Sequence, residues 1–155
     1  MNDGERRLRI TGLHHITLIS ANLDRSAAFY RDLLGLALVE AEMNPDDPNA
    51  RHFWFGDSGG APGTLVSLFE YPHMERGSVG VGSTHHFAFR VGSEDELEGW
   101  QRYLTSKAVP CTKVLDRGHF KSIYIRDPDG HIVEIATDMP GLGSSPVGPD
   151  PSPSR

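Results

Sequence analysis

Two stretches of this 155-residue chain, LHHITL at 13–18 and THHFAF at 84–89, each set adjacent histidines at the head of an apolar segment. Sliding the sequence on itself at an offset of 71 pairs His14 and His15 with His85 and His86, Phe29 with Trp100, and Leu33 with Leu104. A chain that repeats in this way is built from two modules of one plan. Its length suits one well-buried domain, or two small halves sharing a core.

Each module reads β-α-β-β-β. HITLIS and HFAFRV are short, partly β-branched or aromatic, and end in small polar residues, as strands do. In the first module Leu23, Ala27, Tyr30, Leu33 and Leu34 then recur at helical spacing, and Gly35 stands where a left-handed cap belongs. In the second, Ser93 and Glu96 fit a capping box, with Leu97, Trp100 and Leu104 as the buried stripe. Strands follow at LALVEAEM and TKVLDR, then at RHFWFGD with GTLVSLFEY and at KSIYIRD with HIVEIAT. The last two pairs are joined by the turns DSGGAPG and DPDG, the latter shaped by Asp127, Asp129 and Gly130.

The expected class is α+β, two tandem β-α-β-β-β modules forming a cupped mixed sheet, a natural place for a ligand. The folded range is 9–140 as a single domain, with module one at 9–74 and module two at 82–140. Residues 141–155, GLGSSPVGPDPSPSR, offer almost nothing to bury and are expected to be a disordered tail; the first eight or so residues are expected to fray.

Composition narrows the partners. A net charge of −6 without a basic cluster argues against nucleic acid. No run matches a membrane span and MNDGERRLRI lacks the apolar core of a secretory signal, so no membrane partner and a cytoplasmic location are expected. Cys111 is the sole cysteine, which excludes an intrachain disulfide and a thiolate cage. Any metal must be held by imidazole and carboxylate.

Strand alternation puts His15 with Thr17 and Ile19, His86 with Ala88 and Arg90, and Glu134 with Ile132 and Ala136. A lone strand histidine is more often a hydrogen-bonded structural residue than a ligand. Two histidines at equivalent places in a repeat, with a glutamate on an apolar strand, form instead the two-imidazole, one-carboxylate set of non-haem Fe(II) oxygenases. Aligning Asp57 with Asp127, with three extra residues in the first turn, sets Ser67 opposite Glu134. The modules share a shape and differ in that acid.

The motifs LHHITLISANLDRSAAFYRDLLGL, THHFAFRV and DPDGHIVEIAT resemble the vicinal oxygen chelate superfamily, which includes glyoxalase, bleomycin-resistance proteins, fosfomycin-modifying enzymes and extradiol dioxygenases. TGLHHITLI, FGDSGGAPGTLVSLFEYP and DRGHFKSIYIRDPDGHIVEIATDMPG resemble, more narrowly, dioxygenases that cleave hydroquinones and chlorinated hydroquinones. The resemblance implies that His15, His86 and Glu134 hold Fe(II), with Mn(II) or another divalent metal as the alternative, and that His14, Thr17, His85, Arg117 and Tyr124 line or support the pocket. It implies a small aromatic substrate and O2, with Tyr124 as a proton donor and Arg117 stabilising anionic charge. Ideal alternation points His14 and His85 away from the metal face, so their role requires an irregular strand end. His52 is a weaker pocket candidate, and His73, His119 and His131 receive no role.

Those dioxygenases resemble four modules where this chain has two, so the site forms within one chain or across a homodimer. Glyoxalases resemble a four-ligand site with a glutamate at the position of Ser67, and its absence counts against lactoylglutathione lyase activity. Fosfomycin-modifying relatives resemble a two-histidine, one-glutamate Mn(II) site, for which Arg90, Arg117, Lys121 and Arg126 would have to gather around a phosphonate. Metal-free drug binding, as in bleomycin resistance, is the non-enzymatic alternative.

Overall fold

The computed structural model describes residues 8–138; the expected tail at 141–155 and the expected fraying before Leu8 lie outside the described residues. The chain divides into two compact units, with the boundary between Arg76 and Gly77.

In the first unit, β1 (His15–Ser20) leads into α1 (Leu23–Ala27), then β2 (Ala37–Asn44), β3 (Asp47–Gly56) and β4 (Leu65–Glu70). The sheet order is β1-β4-β3-β2, with β1 parallel to β4 and the other pairs antiparallel. Asn22 caps α1 by accepting from the Arg25 amide. The apolar spacing predicts one α-helix, but after Ala27 the chain widens into a π-helical turn, Ala28–Leu33. The Leu34 amide donates five residues back, to the Phe29 carbonyl, at 3.0 Å. The wider turn seats both Phe29 and Tyr30 in the core, with the Tyr30 ring 5.7 Å from Phe55. Gly35 ends it in the left-handed conformation, at φ 78°.

The second unit repeats the plan: β5 (Phe87–Val91), α2 (Glu94–Ser106), the short β6 (Leu115–Asp116), β7 (Lys121–Arg126) and β8 (Ile132–Thr137), in the order β5-β8-β7-β6. Ser93 caps α2 through the Glu96 amide, while the Glu96 carboxylate reaches back one residue further than a capping box requires, to the Gly92 amide at 2.7 Å. Leu97 and Leu104 are buried, and Trp100 is half-buried.

Alternation assigns the faces as expected. Leu18, Val66, Leu68 and Phe55 fill the helix side of the first sheet, and Ile123, Ile125, Val133 and Ile135 that of the second. The expected α+β tandem is thus present as two four-stranded mixed sheets. Among the described residues no helix is long and apolar enough to cross a membrane.

The turn before β8 is tied by one carboxylate. Asp127 Oδ1 accepts from the amides of Asp129, Gly130 and His131, and Oδ2 lies 2.8 Å from His131 Nδ1. That bond raises the His131 pKa, whereas burial lowers that of His52. His131 therefore contributes stability below about pH 6.5 that is lost as pH rises through its folded-state value, and His52 contributes stability above about pH 6.5 that is lost as pH falls through its own. Urea denaturation across about pH 5 to 8 is expected to give a more positive stability slope for Asp127→Asn and a more negative one for His52→Phe than for the native chain. Identical slopes would contradict the assignment.

Candidate metal centre

In the second sheet the register sets Ala88, Glu134 and Tyr124 side by side across β5, β8 and β7, on the face away from α2. Glu134 is only 3% exposed. The Tyr124 hydroxyl donates to Oε1 at 2.7 Å, and His86 Nε2 stands 3.0 Å from Oε2 as an ion-pair contact. The Tyr124 and His86 rings meet edge to face at 5.6 Å, and the Arg117 guanidinium lies 5.3 Å over the Tyr124 ring. Arg117 is placed by the tight turn after β6, where its amide donates to the Phe120 carbonyl at 2.9 Å.

His85 joins this group directly. Its Nδ1 is 2.8 Å from Nδ1 of His86, and the first unit repeats the arrangement between His14 and His15 at 3.0 Å. His14 precedes β1, and both His85 and His86 precede β5, so strand alternation does not turn the leading ring away. One proton sits between each Nδ1 pair, which couples the tautomers of the two rings. When His86 carries its proton on Nε2, its Nδ1 must accept from His85; when Nε2 is a bare ligand, Nδ1 must donate to His85.

The first unit holds the other sequence candidates. Thr17 bonds Ser67 between hydroxyl oxygens at 2.9 Å, and Ser67 is cross-strand neighbour to both Thr17 and Trp54. The row Thr17–Ser67–Trp54 is therefore the counterpart of Ala88–Glu134–Tyr124, and the register supports the overlay drawn from the repeat. The DSGGAPG turn fixes the start of β1: the Gly63 amide donates to the His14 carbonyl at 2.7 Å, in a left-handed conformation at φ 90° that favours glycine.

The structure thus joins His85, His86, Arg117, Tyr124 and Glu134 in one unit, and His14 with His15 and Thr17 with Ser67 in the other. Among the described residues no three His, Cys, Asp or Glu side chains gather as a group that could hold a metal ion. His86 and Glu134 nevertheless suit such an ion chemically. Two donors at right angles, each roughly 2.1 Å from one ion, stand ~3 Å apart, as Nε2 and Oε2 do at 3.0 Å.

The partners of two residues, Trp54 and the pocket candidate His52, were not identified from sequence. Trp54 donates its indole N–H to Glu42 at 3.3 Å, and His52 lies buried between the Trp54 and Phe69 rings. The alternation of His52 and Trp54 was readable, but the cross-strand partner Glu42 depends on the β2–β3 register, which contains an irregularity between Leu38 and Glu40. The cations considered for a phosphonate are mostly engaged elsewhere. Arg90 pairs with Asp138 at 2.8 Å, Lys121 with Glu94 at 2.5 Å, and Arg126 donates to the Gly130 carbonyl.

Tandem β-α-β-β-β units, each opening with a histidine pair and one retaining a buried acid on its open sheet face, define the vicinal oxygen chelate class. The chain belongs to the Glyoxalase/Bleomycin resistance protein/Dioxygenase superfamily, whose model matches residues 12–135. A solved structure from Bacillus subtilis, provisionally named a dioxygenase, superposes with a TM-score of 0.76 at 32% identity, covering 82% of this chain and 40% of that one. Chlorohydroquinone/hydroquinone 1,2-dioxygenase of Sphingobium indicum is 30% identical over 138 residues, 84% of this chain and 42% of that protein. Metallothiol transferase FosB of Staphylococcus haemolyticus is 34% identical over 131 residues, 83% of this chain and 84% of that protein. The chain spans about two fifths of the length of two Bacillus subtilis relatives named for ring cleavage.

Tyr124→Phe keeps the ring and removes only the donor to Glu134. The expected loss in the metal-free protein is about 1.5–3 kcal/mol by urea denaturation, the range for a hydrogen bond to a charged group. A change below about 0.5 kcal/mol would show that the hydroxyl does not support the carboxylate.

Proposed function

We propose that the chain is a metal-dependent, ring-cleaving dioxygenase of extradiol type, acting with O2 on a hydroquinone- or catechol-like aromatic. In this reading His86 and Glu134, with a His15 from the same chain or from a second copy, hold one divalent ion, Fe(II) by preference. The observation that carries the reading is Glu134: a buried carboxylate contacted by an imidazole and a phenol, on a sheet whose twin carries Ser67 at the same place. Three protein ligands leave coordination positions for a chelating substrate and oxygen, which a fourth carboxylate at position 67 would reduce.

The bound ion would supply Lewis acidity and an electron relay between an electron-rich ring and oxygen. The chain's own groups do the rest. For His86 Nε2 to be a ligand, His86 would carry its single proton on Nδ1 and donate it to Nδ1 of His85, which would keep its own proton on Nε2. Glu134 keeps the Tyr124 hydroxyl at 2.7 Å. Tyr124 is then the acid nearest the ligands and can pass its proton to a substrate oxygen. Arg117, over the Tyr124 ring, favours the phenolate that this leaves and any anionic oxygen beside it.

A second reading comes from FosB, to which the chain is 34% identical over 131 residues. Charge opposes it: of the four cations considered, two are paired with carboxylates and one with a carbonyl, leaving Arg117 to meet a phosphonate.

Anaerobic loading with Fe(II), metal analysis, and oxygen uptake on a panel of hydroquinones and catechols test the proposal. Stoichiometric Fe(II) and oxygen uptake with ring-opened products are expected, and His86→Ala and Glu134→Ala should each lower activity by at least about 100-fold with loss of metal. Native protein that binds no transition metal would refute the reading, and thiol addition to fosfomycin with Mn(II) would replace it with the second.

A further inference from the structure

Trp54 has no part in the scheme above. It occupies the row of the first sheet that Tyr124 occupies in the second, and each ring stands beside the second histidine of its unit's pair. The His15–Trp54 centroids are 5.0 Å apart at 61°, and the His86–Tyr124 centroids 5.6 Å apart at 80°. In the second unit the aromatic's polar hydrogen goes to the acid of the same row. In the first, Ser67 fills that place and is bonded to Thr17, so the indole N–H turns outward to Glu42.

The indole lies on the face away from α1 and is half-buried, so it does not fill the helix-side core. Behind it His52 is 4% exposed, tilted against Trp54 at 4.8 Å and Phe69 at 4.4 Å. Neither ring nitrogen of His52 has a hydrogen-bond partner among the described residues; Glu42 Oε1, 3.3 Å from Nδ1, lacks the geometry of a bond. An apolar side chain would back the indole without the penalty of an unpaired imidazole. The same wall therefore carries a π-face and an imidazole without a hydrogen bond, its Nδ1 held only by the 3.3 Å contact to Glu42. A hydroxylated aromatic ring is the ligand class that uses both.

We infer that Trp54 and His52 form the specificity wall for the substrate ring, the indole taking its face and the imidazole pairing with a hydroxyl. The inference rests on the proposed function through His15, which Trp54 adjoins, and deepens it by naming what selects the ring. Both His52 nitrogens are shut from solvent, so the pairing requires the indole to swing on its bond to Glu42. Trp54 emission reports that movement.

The chain has two tryptophans, so Trp100→Phe leaves Trp54 as the only indole emitter. Anaerobic titration of this metal-free protein with hydroquinone, and with toluene as the ring without hydroxyls, is the first measurement. Saturable change in Trp54 emission is expected, with hydroquinone favoured and the preference reduced roughly three- to tenfold by His52→Phe. In the Fe(II)-loaded protein Trp54→Leu should raise KM for hydroquinone by a similar factor with kcat nearly unchanged, and Trp54→Phe should recover most of the loss. Linear, unsaturable quenching, or oxygen uptake whose KM ignores both positions, overturns the wall. Saturable binding without any oxygen uptake keeps the wall and removes the dioxygenase reading, so the two failures are distinguishable.

Discussion

A carboxylate buried in an apolar sheet must be neutralised, paired or bound to a cation, and Glu134 organises its surroundings around that requirement. Tyr124 donates to one oxygen and His86 stands against the other; His85 in turn sets the proton position on His86. Removing the acid would leave no reason for the phenol and the imidazole to converge. The first sheet shows what happens when it is absent: with Ser67 in that row, the neighbouring hydroxyl of Thr17 closes the hydrogen bond locally, and the aromatic turns elsewhere.

The ladder makes the comparison between units meaningful. In each sheet the opening strand runs parallel to the last strand of its own unit, and the last strand is antiparallel to the one before it. Residues far apart in sequence thus share a row, and side-chain direction follows from the pleat. A one-residue slip of β8 would turn Glu134 toward α2 and Ile135 toward the open face. The apolar residues Val133 and Ile135, buried on the helix side, are what prevent it.

Much of this was legible in the sequence because period-two and helical patterns are local properties. The alternation in HITLIS and HIVEIAT put His15, Thr17 and Glu134 on the open faces, and the offset between the histidine pairs identified the repeat. Three features were not legible, for different reasons. The π-helical turn at Ala28–Leu33 arises from seating both Phe29 and Tyr30 in one core, a packing outcome that apolar spacing alone does not distinguish from an α-helix. The Nδ1 contacts within the histidine pairs depend on where a strand ends, the least certain part of any pattern. The attachment of Trp54 to Glu42 crosses strands in a register that an irregularity shifts.

The asymmetry of the repeat changes what the aromatic residue of each row is bound to. If both modules carried the acid, both aromatic positions would be committed to holding carboxylates, as Tyr124 is. Substituting Ser67 removes one charge from the first sheet and also frees the aromatic of that row from its counterpart's duty. Trp54 can then be larger than a tyrosine, bond outward to an edge-strand acid, and present its π-face beside His15. The acid of one row and the outward-bonded indole of the other are therefore two outcomes of one difference, Glu134 against Ser67, and under the proposed function they divide reaction and recognition between the modules.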